Sequence, residues 1–407
     1  MRKRGIVAEQ QALPLDDVRV IEMGQLLAGP FCGQLLGDFG ADVIKVEDPE
    51  KGDPMREWGR EKPYGISLWW PVVARNKKSV TLNLRTPEGQ DVIRQLVAKS
   101  DVLLENFRPG TLERWGLSPE ELWKINPKLV ITRVTGFGQN GPYSSQAGYG
   151  SIGEAMGGIR YVTGDPSNPP SRAGVSLGDS LAATFACLGT LVAIHQVQRS
   201  GKGQIVDSAI YEAVLALMES MIPEWEIAQY QRERTGSTLP NVSPSNVYPT
   251  KDNEMILIAG NGDAVFRRLA AAMGQPELAD GERYGTHAAR GRAMEELDDL
   301  IAAWTVTLEA EELLALMSES GVPAGRIYKA ADMVADPHFK AREAIIRLAH
   351  PELGQFPMHG VFPKLSATPG SVRSLGPELG QHNKEIYEGI LGIAADKLSA
   401  MSSAGII

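Results

Sequence analysis

Residues 18–47 read VRVIEMGQLLAGPFCGQLLGDFGADVIKVE, and this stretch decides the architecture. Residues 18–23 are an apolar run closed by Gly24, residues 30–39 carry apolar side chains at helical spacing behind a first-turn proline, and residues 43–47 are apolar again. Strand, helix, strand at this spacing is a βαβ unit, with the helix laid over one face of a parallel strand pair. The connecting turn, Gly24-Gln25-Leu26-Leu27-Ala28-Gly29-Pro30, lacks the GxGxxG spacing, which argues against a dinucleotide cofactor.

Working outward, residues 79–84 read as a strand, 87–99 as a helix, 101–107 (DVLLENF) as a strand and 129–135 (LVITRVT) as another. Ser118-Pro119-Glu120-Glu121 combines a capping serine, a first-turn proline and a glutamate three places on, a helix-start signal. Alternation of this kind gives an α/β fold with a mainly parallel sheet covered on both faces, where ligands lie beyond the carboxyl ends of the strands. Three polar, glycine-bearing loops fall there: the turn with Gln25 and Ala28, Asn106-Phe107-Arg108-Pro109-Gly110, and Gly136-Phe137-Gly138-Gln139-Asn140-Gly141-Pro142.

Residues 171–186, SRAGVSLGDSLAATFA, deliver Asp179 to the start of a long apolar helix. Leu181, Phe185, Leu188, Leu191 and Val192 lie on overlapping helical faces, so the helix is expected to be buried on most sides. Gly178 leaves room for a ligand beside the backbone. Read locally, Asp179 is an N-cap, a common position for aspartate before an apolar run.

The sequence divides into a large domain over 1–221, a polar linker over 222–245, a small domain over 246–335 and a segment over 336–407 that returns to the large domain. The small domain opens with a hairpin turning at Lys251-Asp252-Asn253-Glu254. The loop Gly260-Asn261-Gly262-Asp263 and helices near 264–273, 288–303 and 308–319 follow. In the tail, 345–365 reads as extended and 380–391 as a last helix.

With 41 basic and 50 acidic residues the chain carries a net charge of −9, which argues against nucleic acid or an anionic membrane as partner. Cys32 and Cys187 are far apart in sequence and lack metal-ligand spacing, so neither a disulfide nor a metal site is expected. The start, MRKRGIVAEQQALPLDD, lacks the apolar run of a secretory signal, and no stretch approaches about 18 uninterrupted apolar residues, so a cytoplasmic protein is expected. G-x-S-x-G, H-E-x-x-H and Walker motifs are absent, and the six histidines are scattered at 195, 287, 338, 350, 359 and 382. Arg56, Arg60, Arg75, Lys77, Lys78, Arg85, Arg108 and Arg114 flank the polar loops; they suit a phosphate-bearing ligand or, equally, a solvated surface.

LAGP at 27–30, GADVIKVE at 40–47, RNKKS at 75–79, ENFRPG at 105–110, TGFG at 135–138 and GD at 178–179 occur in this order. Together they resemble the class III CoA-transferase family, whose members include formyl-CoA, carnitine and glutarate or succinate-dependent transferases and the α-methylacyl-CoA racemases. The match is dense over 14–220 and looser to the end, where GVPAG at 321–325 and LGQH at 379–382 also fit.

That resemblance implies a function. Asp179 falls on the family's catalytic aspartate, which attacks a thioester, passes through a mixed anhydride and an aspartyl-CoA thioester, and hands coenzyme A to a free acid. Coenzyme A contacts fall on Gln25 and Ala28, on Leu82, Asn83, Leu84 and Arg85, on Asn106, Phe107 and Arg108 with Arg114, and on 146–149 ending in Tyr149. Gly260, Asn261 and Gly262 resemble a mobile loop that closes over the aspartate. The implied partners are an acyl-CoA and a small carboxylic acid, preferably a dicarboxylate with a succinyl-CoA donor, and no metal or permanently bound cofactor is needed. The implied fold is a Rossmann-like large domain built from both chain ends plus a smaller α+β domain, in an interlocked homodimer.

Two departures stand out. The glycine loop is shorter in glycines than that of formyl-CoA transferase, and Asp48 stands where that enzyme has a basic residue, leaving Arg56 as the expected substitute. In the racemases a histidine would fall at Tyr149, and a tyrosine, with a reference pKa of about 10, is a poor base at neutral pH. Racemase or epimerase and non-catalytic coenzyme A binding remain the alternatives to transfer.

Overall fold

The structure, a computed structural model, describes residues 12–407, so the reading of residues 1–11 lies outside it. Strands β1 Arg19–Glu22, β2 Asp42–Glu47, β3 Lys77–Thr81, β4 Val102–Glu105, β5 Val130–Thr135 and β6 Ile205–Ala209 form one sheet in the order β3-β2-β1-β4-β5-β6. Every neighbouring pair is parallel. The order reverses between β1 and β4, the switch point at which the carboxyl ends of such a sheet open a crevice.

The register explains why these strands are apolar throughout. Val20, Val43, Val102 and Val130 pair in a row and enter the core on one face, while Ile21, Ile44, Leu103 and Ile131 pair in the next row and enter the core on the other. A sheet buried on both sides cannot alternate apolar with polar.

Helix α1, Ala28–Asp38, starts two residues earlier than proline placement suggests, with Pro30 inside its first turn. Helix α2, Pro87–Val97, is capped by Thr86, and α3, Pro119–Ile125, by Ser118, whose Oγ accepts the Glu121 N–H as the motif requires. Helices α4 Gly150–Met156, α5 Leu177–Ser200, α6 Ile210–Leu215 and α7 Met221–Ala228 follow. Helices α1 and α5 share the core on the Val20 face, whereas α2 shares the Ile21 face with Ile386, Tyr387 and Met401 from the tail.

Helix α5 corrects the expectation of burial on most sides. Its buried stripe is Gly178, Ala182, Ala183, Ala186, Thr190 and Ala193, and these small residues let it lie close on its neighbours. The large apolar residues point the other way: Leu188 is 56% and Val192 60% exposed. By length and composition alone it is the one helix among the described residues able to cross a membrane.

The chain separates into two units, the first holding the described part of Met1–Ile159 with Gly174–Ile222 and Ala341–Ile407, the second holding Arg160–Ala173 with Pro223–Lys340. The stretch 222–245, read as a linker, carries most of α7 and runs into β7, Ser245–Pro249. With β8 Met255–Ala259 and β9 Ala324–Arg326 it forms an antiparallel sheet that shares its core with helices α8 Asp263–Ala272, α10 Met294–Thr305 and α11 Ala310–Glu319, the short α9 His287–Arg292 lying between α8 and α10 in the chain.

The tail forms a hairpin of β10 Ile345–His350 and β11 Gly354–His359 and then runs along β3. Arg75 donates to His359 O, Asn76 to Ser371 O and the Tyr387 hydroxyl to Thr81 O. Instead of one helix over 380–391, the tail has a π-helical turn at Glu385–Ile390 and a final helix, α12 Ala395–Ser403.

Candidate active site

At the carboxyl end of β1 the chain turns through Gly24–Leu27 into α1, leaving Gln25 exposed and Ala28 buried as the first helical residue. Asn106, just past β4, clamps this turn: its Oδ1 accepts the Gln25 N–H at 2.8 Å and its Nδ2 donates to Gln25 O at 2.9 Å. A Cβ at Gly24 or Gly29 would stand 3.1 or 3.2 Å from the Asn106 amide, so both glycines make room for the clamp. The Asn106 side chain is committed to positioning Gln25, and any ligand contact at 106 falls to other atoms.

Glu105 closes β4 from within. Its Oε2 accepts the Phe107 N–H and its Oε1 the Arg133 Nε–H, each at 2.6 Å, and Arg133 continues to Glu113. Burial pushes the Glu105 carboxyl up to about 7 in spite of the Arg133 charge beside it. Phe107 packs edge-on against Trp115, while Arg108 and Arg114 stay exposed; Arg114 donates to Thr111, and Arg108 has no ion-pair partner among the described residues.

Asp179 is the third residue of α5; the N-cap position is Ser176, so Asp179 is not the cap. Its half-buried carboxylate lies over Gly150, the first residue of α4, where a Cβ would stand 2.3 Å from Oδ2. A carboxylate over a helix N-terminus is in a favourable field. Tyr149, at the N-cap of α4, is 68% exposed beside this contact. Gly148 brings the segment against the β5 loop, since a Cβ there would stand 3.0 Å from the Gly136 Cα. From inside, buried Glu154 of α4 accepts the Gly178 N–H at 3.2 Å. Glycine pairs thus weld the β5 loop, the start of α4 and the start of α5 into one surface.

Many of the basic residues are committed elsewhere. Arg56 holds Glu47 through two nitrogens at 2.8 and 2.9 Å and stacks over Trp70, so it does not stand free to take the part of a basic residue at position 48. Arg75 pairs with Asp38, Lys77 with Glu22, and Lys78 with Asp42 and Glu385. Asp48 has an ion pair with Arg85, 3.5 Å away. Leu82 lies in the core with its side chain sealed, leaving only backbone to offer a ligand, and Asn83 Oδ1 accepts the Arg85 N–H. Of the cations named from the sequence, those exposed are Arg60, paired with Glu61, Arg85, paired with Asp48, and Arg108 and Arg114, which have no ion pair among the described residues.

CoA-transferase family III matches this chain over residues 15–383. The chain belongs to that family. A succinyl-CoA–D-citramalate CoA-transferase of Chloroflexus aurantiacus is 62% identical over 97% of this chain and 98% of its own. The beta subunit of a succinyl-CoA–L-malate CoA-transferase from the same organism is 41% identical over 97% of this chain and 98% of its own. The crystal structure of a CaiB/BaiF family protein from Brucella suis has a TM-score of 0.82 and 35% identity, covering 94% of this chain and 100% of that one.

In this family III CoA-transferase the glycine loop joins β8 to α8 in the second unit. Gly262 is the N-cap, so Asp263 does not cap; it pairs with buried Arg290 at 2.7 Å, and Arg290 also donates to Asn261 O at 2.7 Å. Gly260 abuts Leu269 and Pro244, whereas a Cβ at Gly262 would meet little.

Among the described residues of the transferase no group of acids, histidines and cysteines is arranged to hold a metal. Four of its histidines hold nearby backbone through a ring nitrogen: His287 at Asn261 O, His350 at the Glu352 and Leu353 N–H, His359 at Gly360 O, and His382 at the Ser79 N–H. Cys32 and Cys187, distant in sequence, meet where α1 packs on α5, and the hydrogen bond that the Cys32 thiol donates to Cys187 together with burial raises the Cys32 thiol. Gly150, Glu154, Glu105 and Asp53 escaped the sequence reading. The aspartate after Gly52 and the glutamate before Asn106 were visible as letters, but only packing shows what they hold.

Proposed function

We propose that this CoA-transferase moves coenzyme A from succinyl-CoA to a small dicarboxylic acid, with Asp179 as the nucleophile. The single observation that carries the reading is the Asp179 carboxylate, half-buried on the first turn of α5 and packed over Gly150. The relatives narrow the acid: those named for D-citramalate and L-malate both take a dicarboxylate bearing a hydroxyl, so an acceptor of that class is preferred here.

The carboxylate attacks the thioester carbonyl and expels the CoA thiolate, leaving a mixed anhydride. The thiolate attacks the aspartyl carbonyl of that anhydride, releasing the donor acid and forming an aspartyl-CoA thioester. The acceptor carboxylate attacks this thioester in turn, the thiolate is expelled again, and its attack on the acceptor carbonyl yields the new acyl-CoA and free Asp179. No proton has to be removed by a strong base, so an exposed tyrosine at 149 suits transfer better than racemisation.

Coenzyme contacts are assigned to Gln25, Ala28, Asn83, Arg85, Asn106, Phe107, Arg108, Arg114 and Tyr149, with backbone alone at Leu82, and a closing role to Gly260, Asn261 and Gly262. Water exclusion by such a loop protects the anhydride from hydrolysis. A second copy of the chain, threaded as an interlocked homodimer in the cytoplasm, is assigned to the exposed apolar face of α5.

The test mixes succinyl-CoA with D-citramalate, L-malate, glutarate and an unrelated monocarboxylate and follows new thioesters by mass spectrometry. Asp179→Ala should abolish exchange while coenzyme A still binds. Exchange at an undiminished rate in that variant, or epimerisation of an acyl-CoA without any acceptor, would overturn the reading.

A further inference from the structure

A buried charge cluster lies beneath the turn that carries Gln25. Lys45 Nζ lies 3.1 Å from Glu22 Oε1 and 2.8 Å from Asp53 Oδ2, and Lys77 Nζ lies 2.8 Å from Glu22 Oε2, with every one of these side chains at most 1% exposed. Two acids balance two bases, the condition under which charges are tolerated in a core. Asp53 and Glu22 hold the Lys45 ammonium above its ordinary value although burial works against it.

Further hydrogen bonds of the cluster reach the turn. Lys45 Nζ donates to Gly24 O at 2.7 Å, the Leu26 N–H donates to Asp53 Oδ1 at 3.0 Å, and Lys77 Nζ donates to Pro30 O at 2.6 Å. From the other side Asn106 takes both polar groups of Gln25. From Gly24 O to Leu26 N, then, every polar backbone atom is held by a side chain distant in sequence. Leu26 sits at φ 62°, a left-handed conformation that a branched side chain adopts only when its surroundings impose it. Such imposed strain recurs where a site must be held rigid before its ligand arrives.

We propose that Asp53, supported by Lys45, is a positioning residue for coenzyme A binding: by holding the Leu26 N–H it fixes the left-handed turn that aims Gln25 and the start of α1 at the coenzyme. The proposal rests on the assignment of coenzyme contacts to Gln25 and Ala28 made above. In this role Asp53 acts on the coenzyme through the turn; the same Oδ1 also accepts the Met55 N–H at 2.8 Å and so caps the short 3-10 turn Pro54–Glu57. A turn freed from it keeps its chemistry and loses its preorganisation, a cost paid when ligand binds.

Two double variants separate the acceptor from the charge. Lys45→Met with Asp53→Asn, and Lys45→Met with Asp53→Leu, each leave Glu22 and Lys77 as one balanced buried pair, and asparagine and leucine are close in shape. They differ in whether an oxygen stands before the Leu26 and Met55 N–H groups. Both variants lose the Lys45 bond to Gly24 O alike, so the comparison is between them: titration calorimetry with coenzyme A should give a Kd weaker by about tenfold or more for the leucine variant than for the asparagine variant. A purely structural role would lower the melting temperature of both without separating their affinities, and equal Kd values for the two folded variants overturn the proposal.

Should the leucine variant not fold, Lys45→Met with Asp53→Ala removes the same oxygen in a smaller side chain: a Kd weakened about tenfold relative to the asparagine variant supports the positioning role, and equal Kd values overturn it. Calorimetry reads binding without turnover, so loss of the Asp179 mechanism, judged separately by Asp179→Ala, leaves this result legible. Absence of coenzyme A binding by the unaltered protein overturns both.

Discussion

The Asp179 carboxylate and the Gly150 backbone are in such close contact that a methyl group at 150 would lie 2.3 Å from Oδ2 and 2.7 Å from Cγ. The added methyl is fixed to the backbone and cannot turn aside, so Gly150→Ala must push the Asp179 carboxylate away. Overpacking of this kind costs about 1–3 kcal/mol of stability, whereas a misplacement of about 1 Å at a reacting group can cost 100-fold in rate. The expected outcome is a folded protein with a small loss in melting temperature and kcat lowered roughly 100-fold. Steady-state exchange beside a thermal melt checks it; a variant with wild-type kcat means the carboxylate works from another position.

Glu105 makes stability depend on pH. Its ordinary value of 4.5 applies to the unfolded chain, while the folded protein releases the proton only at about 7. Between those values the folded state binds more proton than the unfolded one. Stability from this group is therefore fully present below about pH 4.5 and is lost as pH rises through about 7. The loss amounts to roughly 3 kcal/mol at most. Glu105→Gln should remove this slope, so that the difference in unfolding free energy between the two proteins changes between pH 5 and pH 8 in urea titrations. Parallel curves for both proteins would place the Glu105 proton elsewhere.

The sheet was legible because burial on both faces writes itself as continuous apolar runs: VRVIEM, VIKVE and LVITRVT fall on β1, β2 and β5 with errors of a residue or so at the ends. The capping serine at 118 was equally plain, since its signal is local. Helix α5 misled because periodicity reports which residues are apolar and not what covers them. Its buried face turned out to be the alanine stripe, and the leucine and valine positions stayed open. Arg56 misled for a related reason. A cation near a loop in sequence looks available, while its partner Glu47 closes β2 nine residues earlier and the short 3-10 turn Pro54–Glu57 folds the arginine back onto it. The pairing of Gly150 with Asp179 has no sequence signal at all, because it joins two helix starts through a missing side chain.

The open face of α5 yields a test of assembly. Phe185, Leu188, Leu191 and Val192 form a continuous apolar surface on one helix, and surfaces of this kind on soluble chains mark interfaces. Leu188→Glu is expected to lower the mass seen by light scattering from two chains to one, or to leave the protein aggregated if the threaded pair cannot separate. On a free surface the same change would move stability by no more than about 0.5 kcal/mol and leave the mass untouched. That second result would remove the homodimer assignment from this face.

The rim cations separate binding from support. Arg108 and Arg114 are exposed at the end of β4 without carboxylate ion pairs among the described residues, so each can meet a phosphate with little to give up. Arg56 instead neutralises Glu47, a side chain with no exposed surface, and donates to Pro377 O of the tail. Arg108→Ala and Arg114→Ala should each weaken coenzyme A binding about tenfold with an unchanged melting temperature, and added salt should shrink the difference. Arg56→Met should act in the opposite sense. It strands a buried carboxylate, costs about 3 kcal/mol of stability and leaves the coenzyme affinity of the folded fraction within about threefold. Calorimetry and thermal melts on the three variants read both quantities at once. An Arg56 variant that keeps its melting temperature and loses coenzyme affinity would return that arginine to the phosphate site and shift the bound coenzyme toward β2.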